Sequence, residues 1–288
     1  MRRTAAEVTT AGRRVSVVTP VYRNQDTLAV LVDRLAGALA DWCWRIRFVV
    51  DASPDASLAV TLGLAAADER IGVTALAANV GPHRALAAGL AAEEGASAWV
   101  CLDADLQDPP EAVPALLDRL ARGDVGAVFA GRHGRYEGWG RHVTGHLHRM
   151  ALSRVCDVPA DAGAYVALGP AARDAVVRLR APSIVAAVGV TGLPVASVPV
   201  ARARRPSGRS AWGSSARLRQ SVETLAWAAR ERGRTLRVQL PDERVPLGQV
   251  HPAEPCGEGV VRTVRPWRRR AGWPGPDPGR SRFPRARW

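Results

Sequence analysis

The sequence predicts an α/β domain: a mostly parallel sheet with helices on both faces. Two observations carry that expectation. Between residues 15 and 230, short β-branched runs alternate with Ala- and Leu-rich stretches of helical length, the pattern of buried strands joined by crossover helices. The polar residues then follow directly after the apolar runs, in "PVYRN", "DASPD" and "DADLQD". That puts them at the carboxyl ends of strands, where open parallel sheets bind ligands.

Each element has its own signal. "VSVVT" (15–19) reads as a buried strand, followed by a helix over roughly 25–40. "IRFVV" (46–50) is the next strand, with a helix near 56–67. "GVTAL" (72–76) precedes a helix near 82–94, and "AWVCL" (98–102) precedes another near 111–122. "GAVFA" (126–130) is a fifth strand. The chain thus divides into an N-terminal extension (1–14), the α/β domain (15–230) and a tail (231–288). The tail is dense in Arg, Pro, Gly and Trp, has neither helical nor strand periodicity, and is expected to be disordered.

Composition narrows the classes. Net charge is +13, and the tail carries 13 Arg against 6 acids, more than half of that excess. Such a segment suits an anionic membrane surface, a nucleic acid or no partner at all. The body lacks the interleaved aromatic residues that would favour nucleic acid. All 40 basic residues are Arg, so an Arg by itself marks no site. Four scattered Cys fit a reducing, cytoplasmic setting. The first 14 residues have no apolar signal core, and no 18-residue apolar run predicts a membrane-spanning helix.

The segment "CLDADLQDPP" places Asp103, Asp105 and Asp108 within six residues. Alternate side chains of an extended chain point the same way, so Asp103 and Asp105 can face one point. Their mutual repulsion is relieved by a cation, and a hard ion such as Mg²⁺ takes a few carboxylate oxygens with water and phosphate. Gln107 offers a neutral oxygen. The same residues also fit a capped turn before Pro109-Pro110. Asp51 can accept a hydrogen bond from a base N–H, and Asp55 reads as a helix-start residue. In "NVGPHRALAAGL", Ala85 and Gly89 suit close helix packing, and the helix N-terminus suits a phosphate. "RRPSGRSAW" offers Arg205 as a phosphate clamp. His142 and His146 have zinc-like spacing but no Cys or Glu partners nearby.

Taken in order, "VSVVTPVY", "FVVDASPDAS", "NVGPHRALAAGL", "LDADLQDPPE", "DAGAY" and "RRPSGRSAW" resemble the family 2 glycosyltransferases of GT-A fold. The branch is that of dolichyl-phosphate mannose synthase and the undecaprenyl-phosphate glycosyltransferases. The resemblance implies Pro20, Tyr22 and Asp51 near the base and ribose of a nucleotide-sugar. It implies Asp103, Asp105 and Gln107 as ligands of Mg²⁺ or Mn²⁺ and the diphosphate. Asp161 matches an Asp near the acceptor, Arg205 and Ser210 match a phosphate-binding loop, and Arg132 is a further phosphate contact. His83 is an active-site candidate, since aminoarabinose-loading relatives tend to have His there.

The implied reaction is an inverting displacement onto an acceptor, foremost a polyprenyl phosphate. The rival acceptor is a hydroxyl of a small molecule or glycan, for which Asp161 would act as base. A catalytically silent nucleotide-sugar binder is the third reading. Departures from the family pattern are Val50 where a second Asp is usual, "RNQ" after Pro-Val-Tyr, and Ala164 after Asp161-Ala162-Gly163. The membrane helices of many carrier-lipid members are not expected either. Peripheral attachment at the inner face of the cell membrane would then need another means, such as the basic tail or a partner.

Overall fold

A computed structural model describes residues 14–133, 150–179, 181–202 and 214–232. They belong to one compact unit. Strand β1 (Arg14–Val21) leads to helix α1 (Leu28–Ala38), then β2 (Cys43–Val50), α2 (Ser57–Ala67) and β3 (Ile71–Ala75). Helix α3 (Pro82–Ala92) returns to β4 (Ala98–Cys101). A 3₁₀ turn (Pro110–Ala112) and α4 (Val113–Leu120) precede β5 (Ala127–His133). Beyond it lie helical residues 150–156 (α5), β6 (Val166–Leu168), α6 (Pro170–Leu179) and α7 (Ile184–Gly189). Strand β7 (Val195–Ala201) and α8 (Ser214–Arg232) complete the described chain.

The sheet has seven strands in the order β3-β2-β1-β4-β6-β5-β7. β1, β2, β3 and β4 pair in parallel, as do β5 and β7. β6 runs antiparallel to both neighbours, β4 and β5. The sheet is therefore mixed, with one three-residue strand reversed inside an otherwise parallel array. The five strands read from sequence are all present.

Both faces are covered, and period-two alternation explains how. Val15, Val17 and Val21 of β1 point to one side, where they meet α1 and α4. Val18 points to the other, toward α3, α6 and α7. Helix α1 buries Leu28, Leu31, Val32 and Leu35, the i, i+3, i+4, i+7 stripe of a one-sided helix. Helix α4 repeats it with Val113, Leu116, Leu117 and Leu120. Each fully buried Leu stabilises the fold by about 1.5–3 kcal/mol. Helix α3 sits closer to the sheet than a side chain at position 89 allows: a Cβ on Gly89 would run into Val18 and Val49.

At the amino-terminal edge, Arg47 donates to Glu93 through Nε at 2.7 Å, and its Nη2 lies 2.6 Å from the same oxygen. Ser16 donates to the other Glu93 oxygen at 2.9 Å. Arg173 donates to the carbonyls of Leu90 and Glu93, closing the C-terminus of α3 with a cation as the helix dipole favours. Among the described residues no helix is long and apolar enough to cross a membrane.

Candidate active site at the carboxyl edge of the sheet

The order β3-β2-β1-β4 makes the boundary of β1 and β4 a switch point: the chain builds outward from β1 in one direction, then resumes on its other side. A crevice forms outside the carboxyl ends of two such strands. Here it is widened because β4 pairs with β1 only as far as Val18↔Cys101, while β1 continues to Val21. Pro20 lies in that continuation, in register with Val49 of β2. It is buried, and Tyr22 stands half-buried at the strand's exit.

The loops around the crevice are tied to one another. The amide of Arg23 donates to Ser53 Oγ at 2.8 Å, and that of Asn24 to Ser57 Oγ at 3.1 Å. Gln25 Oε1 accepts from the amide of Ala56 at 2.9 Å. Thr27 Oγ1 donates to the Ala104 carbonyl at 2.6 Å, joining the start of α1 to the acidic loop. Asp55 acts at the start of α2 by accepting from Ser53 Oγ and the Ser57 amide. Partial burial works to raise its proton affinity, but those hydrogen bonds prevail and hold the carboxyl below its ordinary range. Arg23, Ala52 and Leu106 all adopt positive φ (58°, 49° and 58°). They follow β1, β2 and β4 on this one edge, and such conformations strain non-glycine residues.

Asp51 is buried at 2% exposure. Its carboxylate accepts the amides of Val80 at 2.7 Å and Gly81 at 2.9 Å, and its carbonyl accepts from Asn79 Nδ2 at 3.1 Å. Asp51 therefore shapes the loop entering α3, using two of a carboxylate's roughly four acceptor positions. Gly81 (φ 87°) makes the turn into that helix. His83, in the first turn, lines a cleft of about 400 Å³ with Gly81, Arg84, Pro182, Arg219 and Glu223.

The acidic loop alternates as expected. Asp103, Asp105 and Gln107 are partly open, whereas Ala104, Leu106 and Asp108 are buried. Asp105 Oδ1 accepts the Gln107 amide at 3.1 Å, which holds the loop curled. Asp108 faces inward to Arg202, whose Nε lies 2.9 Å from its Oδ1. Arg202 also reaches to 3.9 Å from Asp103. Arg202, just beyond β7, was not singled out by the sequence reading, and it supplies positive charge beside Asp103 and Asp108. Among the described residues no three His, Cys, Asp or Glu side chains converge on a point. An all-oxygen set of one or two carboxylates and an amide suits Mg²⁺ or Mn²⁺, which keep water and phosphate as their other ligands.

Asp161 reaches the same edge from another direction. Because β6 is reversed, the residues before it stand at the carboxyl ends of β4 and β5. Asp161 Oδ2 accepts from Ser197 Oγ of β7 at 2.9 Å. Tyr165 donates from its hydroxyl to the Pro109 carbonyl at 2.9 Å, linking this segment to the acidic loop. Burial, reinforced by Asp108 and Glu111, raises the Tyr165 phenol well above its usual range. Arg132 lies in β5 in register with Val200; its side chain is outside the described residues, as are Arg205, Ser210, Trp139, Trp212 and the histidines at 142, 146 and 148. The tail after Arg232 is likewise outside them.

Comparison with known proteins bears on the fold and the family. Undecaprenyl-phosphate 4-deoxy-4-formamido-L-arabinose transferase of Sodalis glossinidius is 38% identical over 144 residues, covering 49% of this chain and 44% of that protein. Its counterpart in Pectobacterium carotovorum is 40% identical over 126 residues, 42% of this chain and 38% of that one. The matched stretch thus spans under half the length of these curated relatives. Among solved structures, glucosyl-3-phosphoglycerate synthase from Mycobacterium tuberculosis, in complex with Mn²⁺, UDP and phosphoglyceric acid, superposes with a TM-score of 0.59 at 18% identity. That match covers 79% of this chain and 81% of the other, and it establishes the shared GT-A architecture. The sequence model of "Glycosyl transferase family 2" matches residues 16–159, and the chain belongs to that glycosyltransferase family.

Proposed function

We propose that this protein moves a sugar from a nucleotide-sugar donor to a polyprenyl phosphate, with inversion at the anomeric carbon. The observation that carries the reading is the pair Asp103 and Asp105, open on alternate residues beside the switch-point crevice with Ala104 and Leu106 turned inward. The names of the relatives in Sodalis and Pectobacterium support the lipid acceptor.

In this reading Pro20, Tyr22 and Asp51 frame the base and ribose. Asp51 acts both directly and by holding the Val80 and Gly81 amides. Asp103, Asp105 and Gln107 hold Mg²⁺ or Mn²⁺, which would offset the charge that builds on the departing diphosphate. His83 borders the sugar, and Arg132, Arg205 and Ser210 bind phosphate. Asp161 faces the acceptor. A phosphate acceptor is already ionised near neutral pH, so Asp161 serves there to orient rather than to abstract a proton. The protein works at the cytoplasmic face of the membrane, with the basic 231–288 tail drawing it to anionic lipid.

The test uses purified protein, Mg²⁺ or Mn²⁺, and a panel of UDP-, GDP- and dTDP-sugars, scored for nucleoside diphosphate release with and without undecaprenyl phosphate. Release that needs the lipid, the metal and Asp105 is expected. Asp105→Ala should lower the rate roughly 100- to 1,000-fold, since several kcal/mol of charge stabilisation is lost. Release only with a hydroxyl acceptor would move the assignment to small-molecule or glycan transfer. Donor binding without turnover, unchanged in Asp105→Ala, would identify a silent binder.

A further inference from the structure

Gly131 and Ser197 stand on neighbouring parallel strands, β5 and β7, at the carboxyl edge of the sheet. Ser197 is in register with Phe129, two residues before Gly131, so both positions belong to one face of the pleat. A side chain at 131 would stand where the Asp161 carboxylate now sits. A Cβ built there would run into Asp161 Oδ2 and Ser197 Oγ and lie 2.9 Å from Asp161 Cγ. The missing side chain is thus a notch in the strand face, filled by a carboxylate from a different part of the chain.

One contact holds that carboxylate, and two more hold the segment that carries it. Ser197 Oγ donates to Oδ2 at 2.9 Å. The amide of Ala162 donates to the Pro159 carbonyl at 3.0 Å, closing the turn that carries Asp161. Four residues on, Tyr165 is bonded to Pro109 at the end of the acidic loop. Among the described residues no hydrogen bond reaches Oδ1, and Asp161 is partly open. One oxygen is anchored and the other is presented.

We propose that Gly131 and Ser197 are positioning residues for Asp161: the glycine makes the notch, and the serine hydroxyl holds Oδ2 so that Oδ1 meets the acceptor or the transferred sugar. This rests on the reading of Asp161 as a residue of the acceptor end. Partners that orient metal ligands typically cost about 10- to 100-fold in activity when lost, and a loss of that order is expected for a partner that orients Asp161. The residues proposed for the base and the metal, Pro20, Tyr22, Asp51, Asp103 and Asp105, lie on or after other strands.

The experiment compares Asp161→Asn, Ser197→Ala, Ser197→Thr and Gly131→Ala in the full chain, with the donor that turns over and undecaprenyl phosphate. Ser197→Ala is expected to lower kcat roughly tenfold with the donor KM unchanged, and Ser197→Thr, which keeps the hydroxyl, to restore most of it. A slow Asp161→Asn with a fully active Ser197→Ala would overturn the positioning role and leave the acceptor-end reading standing. A fully active Asp161→Asn would overturn that reading itself. Equal loss in Ser197→Ala and Ser197→Thr would show that shape rather than the hydroxyl matters, and would also overturn the proposal. A crystal structure of Ser197→Ala gives a readout independent of turnover: the Asp161 carboxylate should leave the Gly131 notch, and its staying there would refute the inference.

Discussion

Replacing Asp108 by Asn removes the buried carboxylate that holds Arg202, and the consequence can be worked from the geometry. The Asp108 side chain is 4% exposed and that of Arg202 is 10% exposed. At 2.9 Å and an effective dielectric constant of about 20, their attraction is about 6 kcal/mol, and desolvation of both ions offsets most of it. The net worth of the pair is therefore small, but removing one partner deprives the other of its nearest counter-charge, at a cost of up to about 3–5 kcal/mol. Arg202 has a second carboxylate within reach, Asp103 at 3.9 Å with 30% of its side chain exposed. That puts the expected loss at the lower end, about 3 kcal/mol, read from urea unfolding. Once released by Asp108, Arg202 is expected to turn its guanidinium toward Asp103, where it competes with a divalent cation. Half-saturation by Mn²⁺ in nucleoside diphosphate release should rise roughly tenfold, equivalent to about 1.4 kcal/mol. Adding Arg202→Gln to the Asp108→Asn variant removes the competitor and should reverse that rise. A stability loss below about 1 kcal/mol, together with unchanged Mn²⁺ dependence, would refute the idea that Arg202 is shared between the two carboxylates.

Two further expectations concern stability and pH. Glu93→Gln leaves Arg47, only 18% exposed, without its carboxylate; unfolding should become easier by about 3–5 kcal/mol, read by calorimetry, while donor affinity in the surviving folded protein stays the same. Asp55 has its proton affinity lowered in the folded protein, so its contribution is present above the ordinary aspartate range and is lost as pH falls through the lower folded value. The tie between the 22–27 and 53–57 loops should therefore hold down to the ordinary aspartate range and loosen only below it. Amide exchange at Ser57 and Gln25, followed by NMR from pH 6 downward, checks this against Asp55→Asn, in which the tie should already be weak at neutral pH.

The first half of the molecule was legible because its polar residues follow its strands directly. Asp51 comes straight after "FVV" and Asp103 two residues after β4, so apolar runs alone fixed where they lie. Gly89 was legible as a packing residue, since a helix returning over β1 and β2 needs a small side chain there. The second half was harder to read. β6 has only three residues, too few for a period to show, and nothing local marks it as reversed. β7 carries Ser197 and Pro199 inside an apolar run, and Ser197 gains its meaning only from a glycine on the neighbouring strand. Arg202 was hidden by composition: in a chain whose every cation is Arg, proximity to Asp108 is the only thing that distinguishes it.

The reversal of β6 bears on how such proteins diversify. On one side of that short strand lies a continuous stretch of chain, β1 to β4, with the residues proposed to grip the nucleotide. On the other side lie β5 and β7, whose edge seats Asp161. The match to the family's sequence model ends at residue 159, shortly before β6. On the proposed reading, a chimera joined in the turn before β6 exchanges the end that seats Asp161 while leaving the Asp51 and Asp103 loops on β1 to β4 as they are.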